Sequence, residues 1–439
     1  MKRKLFIMLL ACALSLQAAG AVFTIEEAVA LGLKNNTQIL AAGEVKKASE
    51  GRNAEAVSGV LPKLTFSGNY NYISDAPSMS INIPTGPFTS IDKTVVTGAN
   101  DNWVFNARLT QQLFDWGRMF DNIAGTEAVK KAADKDYEAA RCSVASAVKQ
   151  LYYAVVFTKE VLLVSEESLR VAKEHLAVAE QKYKEGASSS FEVLRSRVQV
   201  SNLRPAFSKA GNSVELAKLN LKIALGLPYD AELQVSGRLA ERATPEHDYG
   251  TELLNSFSAR PELIAARCRE EAARFVLDTA NTFDKPSLSG FASYNYQNPY
   301  YAQLSWTQSW NAGLNLNIPL YDGNFGAAKI RQAEADLAIA KISTRRLEDA
   351  TASELKQLLF LLVEAKERLA AQKDAVSQAD EYHKISQVGF KSGTMTNLEV
   401  IDAELSLMNA RIGFLQALYD RDVVEAGIER LAGKYAVSR

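Results

Sequence analysis

The sequence predicts a mainly α-helical chain with four membrane-type β-strands, built from one unit written twice. Three observations predict it: an internal repeat, four segments that alternate with period two, and two helical stretches too long for a globular core to cover. Thr37-Gln38-Ile39-Leu40-Ala41-Ala42 aligns with Pro261-Glu262-Leu263-Ile264-Ala265-Ala266, an offset of 224. The same offset carries Pro62 onto Pro286 and Tyr70-Asn71-Tyr72 onto Tyr294-Asn295-Tyr296. Beyond Tyr72 the offset falls to 207, leaving 17 extra residues in the first copy before Trp103. At 207, Trp103 maps onto Trp310, Leu113-Phe114-Asp115 onto Leu320-Tyr321-Asp322, and Tyr183-Lys184-Glu185-Gly186 onto Phe390-Lys391-Ser392-Gly393. Glu192-Val193-Leu194 then maps onto Glu399-Val400-Ile401, and Gly226 onto Gly433.

The elements follow in order. Residues 1–21 read as a secretory signal: basic Lys2, Arg3 and Lys4, an apolar run from Leu5 to Leu16, then Ala19-Gly20-Ala21. A lipoprotein site at Leu9-Leu10-Ala11-Cys12 is the rival reading, ranked second because it leaves a short apolar stub. The first repeat spans 22–225, with a strand hairpin at about 63–113 and a helix hairpin at about 118–225. A connection over 226–258 follows. The second repeat spans 259–433, with strands at about 286–320 and helices at about 325–432, and 434–439 form a tail.

Leu64, Phe66, Gly68, Tyr70 and Tyr72 share one strand face against Thr65, Ser67, Asn69 and Asn71. Trp103, Phe105, Ala107 and Leu109 repeat the alternation. So do Leu288 through Tyr296, and Trp310 through Leu320. Aromatics gather near one end of each segment, as at a lipid interface. Arg108 faces either the lumen of a barrel or a carboxylate partner. From Arg118 to Glu185 there is no proline, and the stretch from Phe325 to Lys391 repeats that pattern. Such a helix is roughly 100 Å long and needs a coiled-coil-like assembly around it. Returning helices run from Ser190 to Leu225, where Pro205 marks a kink or a break, and from Asn397 to Leu431. Residues 74–101 hold the insertion and read as a loop rich in Ser, Thr and Ile that extends the strand hairpin.

Four strands cannot close a barrel, and an open sheet edge in lipid leaves backbone groups unpaired. A homotrimer gives a 12-stranded β-barrel, which the helices continue as a helical periplasmic barrel. The alternative is a trimeric coiled-coil surface protein without a pore, for which two strand hairpins between two helix hairpins have no use.

Composition excludes other classes. The chain has 439 residues, 47% apolar and 23% charged, so it can build a large core. Its formal charge of -1, without a basic run beyond the first four residues, argues against nucleic acid. Removing Lys2, Arg3 and Lys4 leaves 47 basic against 51 acidic residues, a mature charge of -4. Three His and three Cys, scattered, give no metal or cofactor set. Cys142 and Cys268 sit in helical patterns and read as buried thiols, and His175, His247 and His383 as ordinary helix or surface residues. No nucleophile–base pair or phosphate loop points to an enzyme.

In order along the chain, several motifs resemble the TolC family of outer membrane efflux proteins. They are Phe23-Thr24-Ile25-Glu26-Glu27-Ala28 with Asn35-Asn36, Leu61-Pro62-Lys63-Leu64, Gln112-Leu113-Phe114-Asp115 with Gly117, Ile318-Pro319-Leu320-Tyr321-Asp322-Gly323, and Phe390-Lys391-Ser392-Gly393 with Asn397-Leu398-Glu399-Val400-Ile401-Asp402. The resemblance covers nearly all of the mature chain. It implies a homotrimer in the outer membrane, an irregular equatorial belt drawn from 226–258 and the termini, and a passive duct. It also implies an inner-membrane efflux pump or ABC transporter and a periplasmic adaptor (membrane fusion) protein as partners.

The candidate site lies at the helix-hairpin tips. Ser189 with Glu192, and Thr396 with Glu399, are spaced as capping boxes, which account for both acids without a gate. The resemblance implies instead that Glu399 and Asp402 form acidic rings at the periplasmic entrance, favouring cations. Asp402 read bottom-up is equally a solvated helix residue, and its repeat partner is Arg195. The family latches its tips with a tyrosine and a basic residue. Here Phe390 and Met395 occupy those second-copy positions and Tyr183 stands in the first copy, so Arg195, Lys184 or Lys391 is expected to substitute. Gly186 and Gly393 read as left-handed helix caps. By resemblance the adaptor docks around this turn, on Tyr183, Gly186, Phe390, Gly393 and Thr394.

Overall fold

The computed structural model describes residues 22–243, 245–298 and 305–435. The signal segment with Cys12 and the last four residues of the tail lie outside the described residues. In chain order the elements are β1 (Val22–Phe23), α1 (Ile25–Asn35), α2 (Thr37–Ser58), β2 (Lys63–Tyr72), β3 (Ser78–Gly86), β4 (Thr89–Val96) and β5 (Asp101–Phe114). Then come α3 (Arg118–Lys184), α4 (Ser190–Leu225), β6 (Gln234–Val235), α5 (Tyr249–Ala259) and α6 (Pro261–Ala280). The chain ends with β7 (Ser287–Asn298), β8 (Thr307–Asn317), α7 (Phe325–Ser392) and α8 (Asn397–Leu431). No described helix is long and apolar enough to cross a membrane. The chain divides into two compact units, one of residues up to 46, 133–265 and from 344 onward, the other of 47–132 and 266–343.

The second unit holds a four-stranded antiparallel sheet in the order β2-β5-β7-β8. Register aligns one apolar face across it: Phe66 opposes Ala107, Ala107 opposes Tyr294, and Tyr294 opposes Trp310. That face is largely uncovered, with Phe66 74% and Trp310 79% exposed. Aromatic rings tile it, Phe105 stacking on both Phe66 and Trp306, and Tyr296 on Trp306 at 4.7 Å. Hydrogen bonding ties the polar face together, Asn106 donating to Asn295 at 2.6 Å. The Arg108 guanidinium lies 5.0 Å from the centroid of the Phe291 ring.

Three details depart from expectation. The 74–101 insertion forms its own hairpin, β3 on β4, rather than lengthening the main strands. Strand β8 stops at Asn317, short of Leu320, because Pro319 has no N–H to give a ladder. Helix α5 begins inside 226–258, a stretch expected to be irregular.

In the first unit, α1, α3 and α4 bury one core around Ala28, Val148, Val155, Leu221 and Leu225. Tyr152 in that core donates its hydroxyl to the Phe23 carbonyl, beside the parallel pairing of β1 with β6. Helix α4 passes unbroken through Pro205. Gly226 closes it with φ +67°, against the Asn35 carbonyl, where a Cβ would sit 2.5 Å from the oxygen. Helices α3 and α8 lie antiparallel along matched rungs. Ser146 donates to the Ala426 carbonyl, Lys149 pairs with Glu429 at 2.5 Å, and Phe157 stacks on Tyr419 at 5.3 Å. Arg421, 1% exposed, pairs with Asp422 and donates to the Ala240 carbonyl at 2.9 Å. Cys142 is buried and neither it nor Cys268 forms a disulfide.

Candidate functional site at the helix-hairpin tips

Both tips end their first helix the same way. In α3, the Gly186 N–H reaches the Tyr183 carbonyl at 3.0 Å and the Ala187 N–H the Lys182 carbonyl at 2.8 Å, with Gly186 at φ +75°. In α7, Gly393 reaches Phe390 at 3.3 Å and Thr394 reaches Gly389 at 2.8 Å, with Gly393 at φ +81°. This pair of bonds is a Schellman motif, and the left-handed residue in it favours glycine. Thr394 adds a side-chain bond, its hydroxyl donating to the Gly389 carbonyl at 3.2 Å.

The returning helices differ. At α8 the box is complete: Glu399 N–H reaches the Thr396 hydroxyl, and the Glu399 carboxylate accepts from Thr396 N–H at 2.6 Å. Those donations, backbone first and hydroxyl second, hold the Glu399 carboxyl below the usual range. At α4 the box is half made. The Ser189 hydroxyl accepts from Glu192 N–H at 3.4 Å, but the Glu192 carboxylate takes the Ser188 hydroxyl instead of the Ser189 N–H. Ser188, one residue before the cap, offers the acid another donor.

Asp402 is exposed on α8, one turn past Glu399, with no hydrogen bond or ion pair among the described residues. Arg195 lies over its own Phe191 ring, 5.6 Å from the centroid. None of Arg195, Lys184 or Lys391 makes an ion pair among the described residues of this chain. Near the tips, Lys182 crosses between the hairpins, 4.4 Å from the Phe390 ring centroid. A second crossing is buried: Asn397 donates to the Ser196 hydroxyl at 3.0 Å. Tyr183, Phe191 and Leu194 leave an apolar strip exposed on the first tip, at 51%, 65% and 60%.

Sequence reasoning missed the histidines. The His175 Nε2 on α3 lies 2.7 Å from Glu404 Oε1 on α8, and His383 Nε2 on α7 lies 3.9 Å from the same oxygen. Its contact with Glu404 raises the His175 pKa above its ordinary value; burial works against this and the charges of Glu404 and Glu174 add to it. The signal was available, since the two histidines stand 208 apart, one residue off the repeat offset. No group of three or more His, Cys, Asp or Glu among the described residues is placed to hold a metal ion.

Strand hairpins alternating with helix hairpins that end in paired glycine turns make up the described architecture. The family model "Outer membrane efflux protein" matches residues 29–227 and 255–434, and the chain belongs to that family. It is 22% identical over 95% of its length to the proteases secretion protein PrtF of Dickeya chrysanthemi, covering 90% of that protein. It is 23% identical to the outer membrane protein TolC of Vibrio cholerae, over 88% of this chain and 85% of the relative. Among solved structures, the CmeC outer membrane channel of Campylobacter jejuni matches with a TM-score of 0.80 at 18% identity, over 93% of this chain and 85% of that one. VceC of Vibrio cholerae matches at 0.76 and 17% identity, over 93% and 96%. The fold is that of the outer membrane channels, and the family places the protein in the outer membrane as an efflux or secretion channel rather than a poreless stalk.

Proposed function

We propose that three chains assemble through the free edges of β2 and β8 into a 12-stranded barrel, continued into the periplasm by the helix hairpins. The assembly is a passive exit duct for small molecules or proteins. An inner-membrane efflux pump or ABC transporter supplies the energy, and a periplasmic adaptor joins the two. One observation carries this reading: among the described residues β2 and β8 each have a single strand neighbour, while the apolar sheet face stays open. In lipid such edges must pair, and only closure pairs them.

The tips form the gate. Asp402, unpaired on α8, is the principal selectivity group, three copies around one axis favouring cations. Glu399 and Glu192 contribute charge while capping their helices, and Arg195 offsets it in the first copy. The adaptor docks on the turns at Gly186 and Gly393 and on Tyr183, Phe390 and Thr394; the exposed apolar strip with Phe191 and Leu194 supports this. The test is conductance of the purified protein in planar bilayers. Asp402→Ala lowers cation selectivity if the ring exists; selectivity identical to wild type removes Asp402 from the gate.

A further inference from the structure

We propose that His175 and Glu404 form a proton-operated clamp between the two helix hairpins, closed when the imidazole is charged and loosened when it is neutral. The consequence for tip opening rests on the channel reading above; the clamp itself does not.

Its position carries the inference. His175 and Glu404 join α3 of one hairpin to α8 of the other at 2.7 Å, with side chains only 21% and 11% exposed. His383 brings α7 to the same oxygen, and its Nε2 also meets the Gln387 amide at 3.2 Å. The other α3–α8 rungs are a hydroxyl–carbonyl bond, a Lys–Glu pair and an aromatic stack. Ordinary lysine and carboxylate groups keep their charge between pH 6 and 8.5, so only the histidine rung changes state there. Of these α3–α8 rungs it is the nearest to the tip, 11 residues or about 16 Å before Gly186, with the Lys182–Phe390 and Asn397–Ser196 contacts beyond it.

The surroundings leave the imidazole as the variable group. On α3, Glu174 adjoins His175. On α7, Asp380 is held by Lys384 at 2.6 Å and by Arg411 of α8 at 3.7 Å. Helix α4 brings apolar Val200, Leu203 and Phe207 to the adjoining core, and its Arg197 is paired with Glu180. The 2.7 Å contact is an ion pair only while the imidazole is charged, and Glu404 Oε1 has no hydrogen bond to hold it once that charge is lost. Glu404 raises the folded-state pKa of His175, so the clamp is fully present below about 6.5, the ordinary histidine value, and is lost as pH rises through the raised one.

The experiment measures channel open probability of the full-length protein in planar bilayers from pH 6 to 8.5, beside an NMR titration of its imidazoles in detergent. Wild type is expected to gain about two- to fivefold in open probability toward alkaline pH, the range of a modest ion pair. His175→Gln and Glu404→Gln should both flatten that profile at its alkaline level. His247→Gln should keep it, because His247 is paired with Glu252 away from this seam. The His175 resonance should titrate above 6.5 in wild type and fall in Glu404→Gln. A full pH profile surviving in both clamp variants, or a His175 titration unmoved by Glu404→Gln, overturns the clamp. If wild type conducts at no pH, the channel reading fails, and the titration alone decides the clamp.

Discussion

At the residue scale, Thr396 and Glu399 do two jobs with one geometry. Completing the capping box fixes the first turn of α8, so the acid that lines the proposed entrance is also held in place. Thr396→Ala is expected to cost about 1 kcal/mol of stability, read as a lowered urea midpoint. Glu399→Gln should destabilise in the same direction. The sign for pH follows from the depressed Glu399 pKa: its contribution is present above the ordinary glutamate value and disappears as pH falls through the folded one. Acid unfolding of wild type should therefore be steeper than that of Glu399→Gln. Gly393→Ala places a Cβ at φ +81° and should cost about 1–2 kcal/mol by the same assay. The glycines and the cap spacing were legible in sequence because each is a local rule. The Glu192 partner was not, since Ser188 and Ser189 compete for it and geometry decides. Nor was the meeting of His175 with Glu404, which depends on how two hairpins far apart in sequence pack.

At the element scale, periodicity announced the strands and long helices, and their ends were the weaker part. Pro319 stopped β8 three residues before its apolar alternation did. The insertion chose its own two-stranded pairing because β3 and β4 match each other across a tight turn at Pro87 and Phe88. Apolar residues such as Leu407, Leu418, Ile428 and Leu431 seat α8, and buried polar contacts add to them. Arg421 and Asp422 are the strongest case: both side chains are 1% exposed. Arg421→Ala is expected to cost about 3–5 kcal/mol, because it strands the Asp422 charge in the interior. Replacing both by apolar residues of similar volume should cost far less. Chemical denaturation of the two variants beside wild type decides whether the pair fixes geometry or supplies net stability. Leu225→Ala, at the heart of the first-unit core, should cost about 2–5 kcal/mol.

At the scale of the whole molecule, duplication explains why one chain carries both a sheet and long hairpins. Each copy contributes two strands to the sheet and two long helices, and the glycine turns recur at the repeat offset. Four strands leave two edges and an apolar face unsatisfied, and that deficit is what the proposed trimer resolves. The most direct measurement is the native mass of the protein extracted in mild detergent from outer membranes, with its gel mobility before and after heating. A heat-sensitive trimer in that fraction is the predicted result. A monomer, or a protein recovered in the soluble periplasm, would contradict the barrel and with it the exit duct.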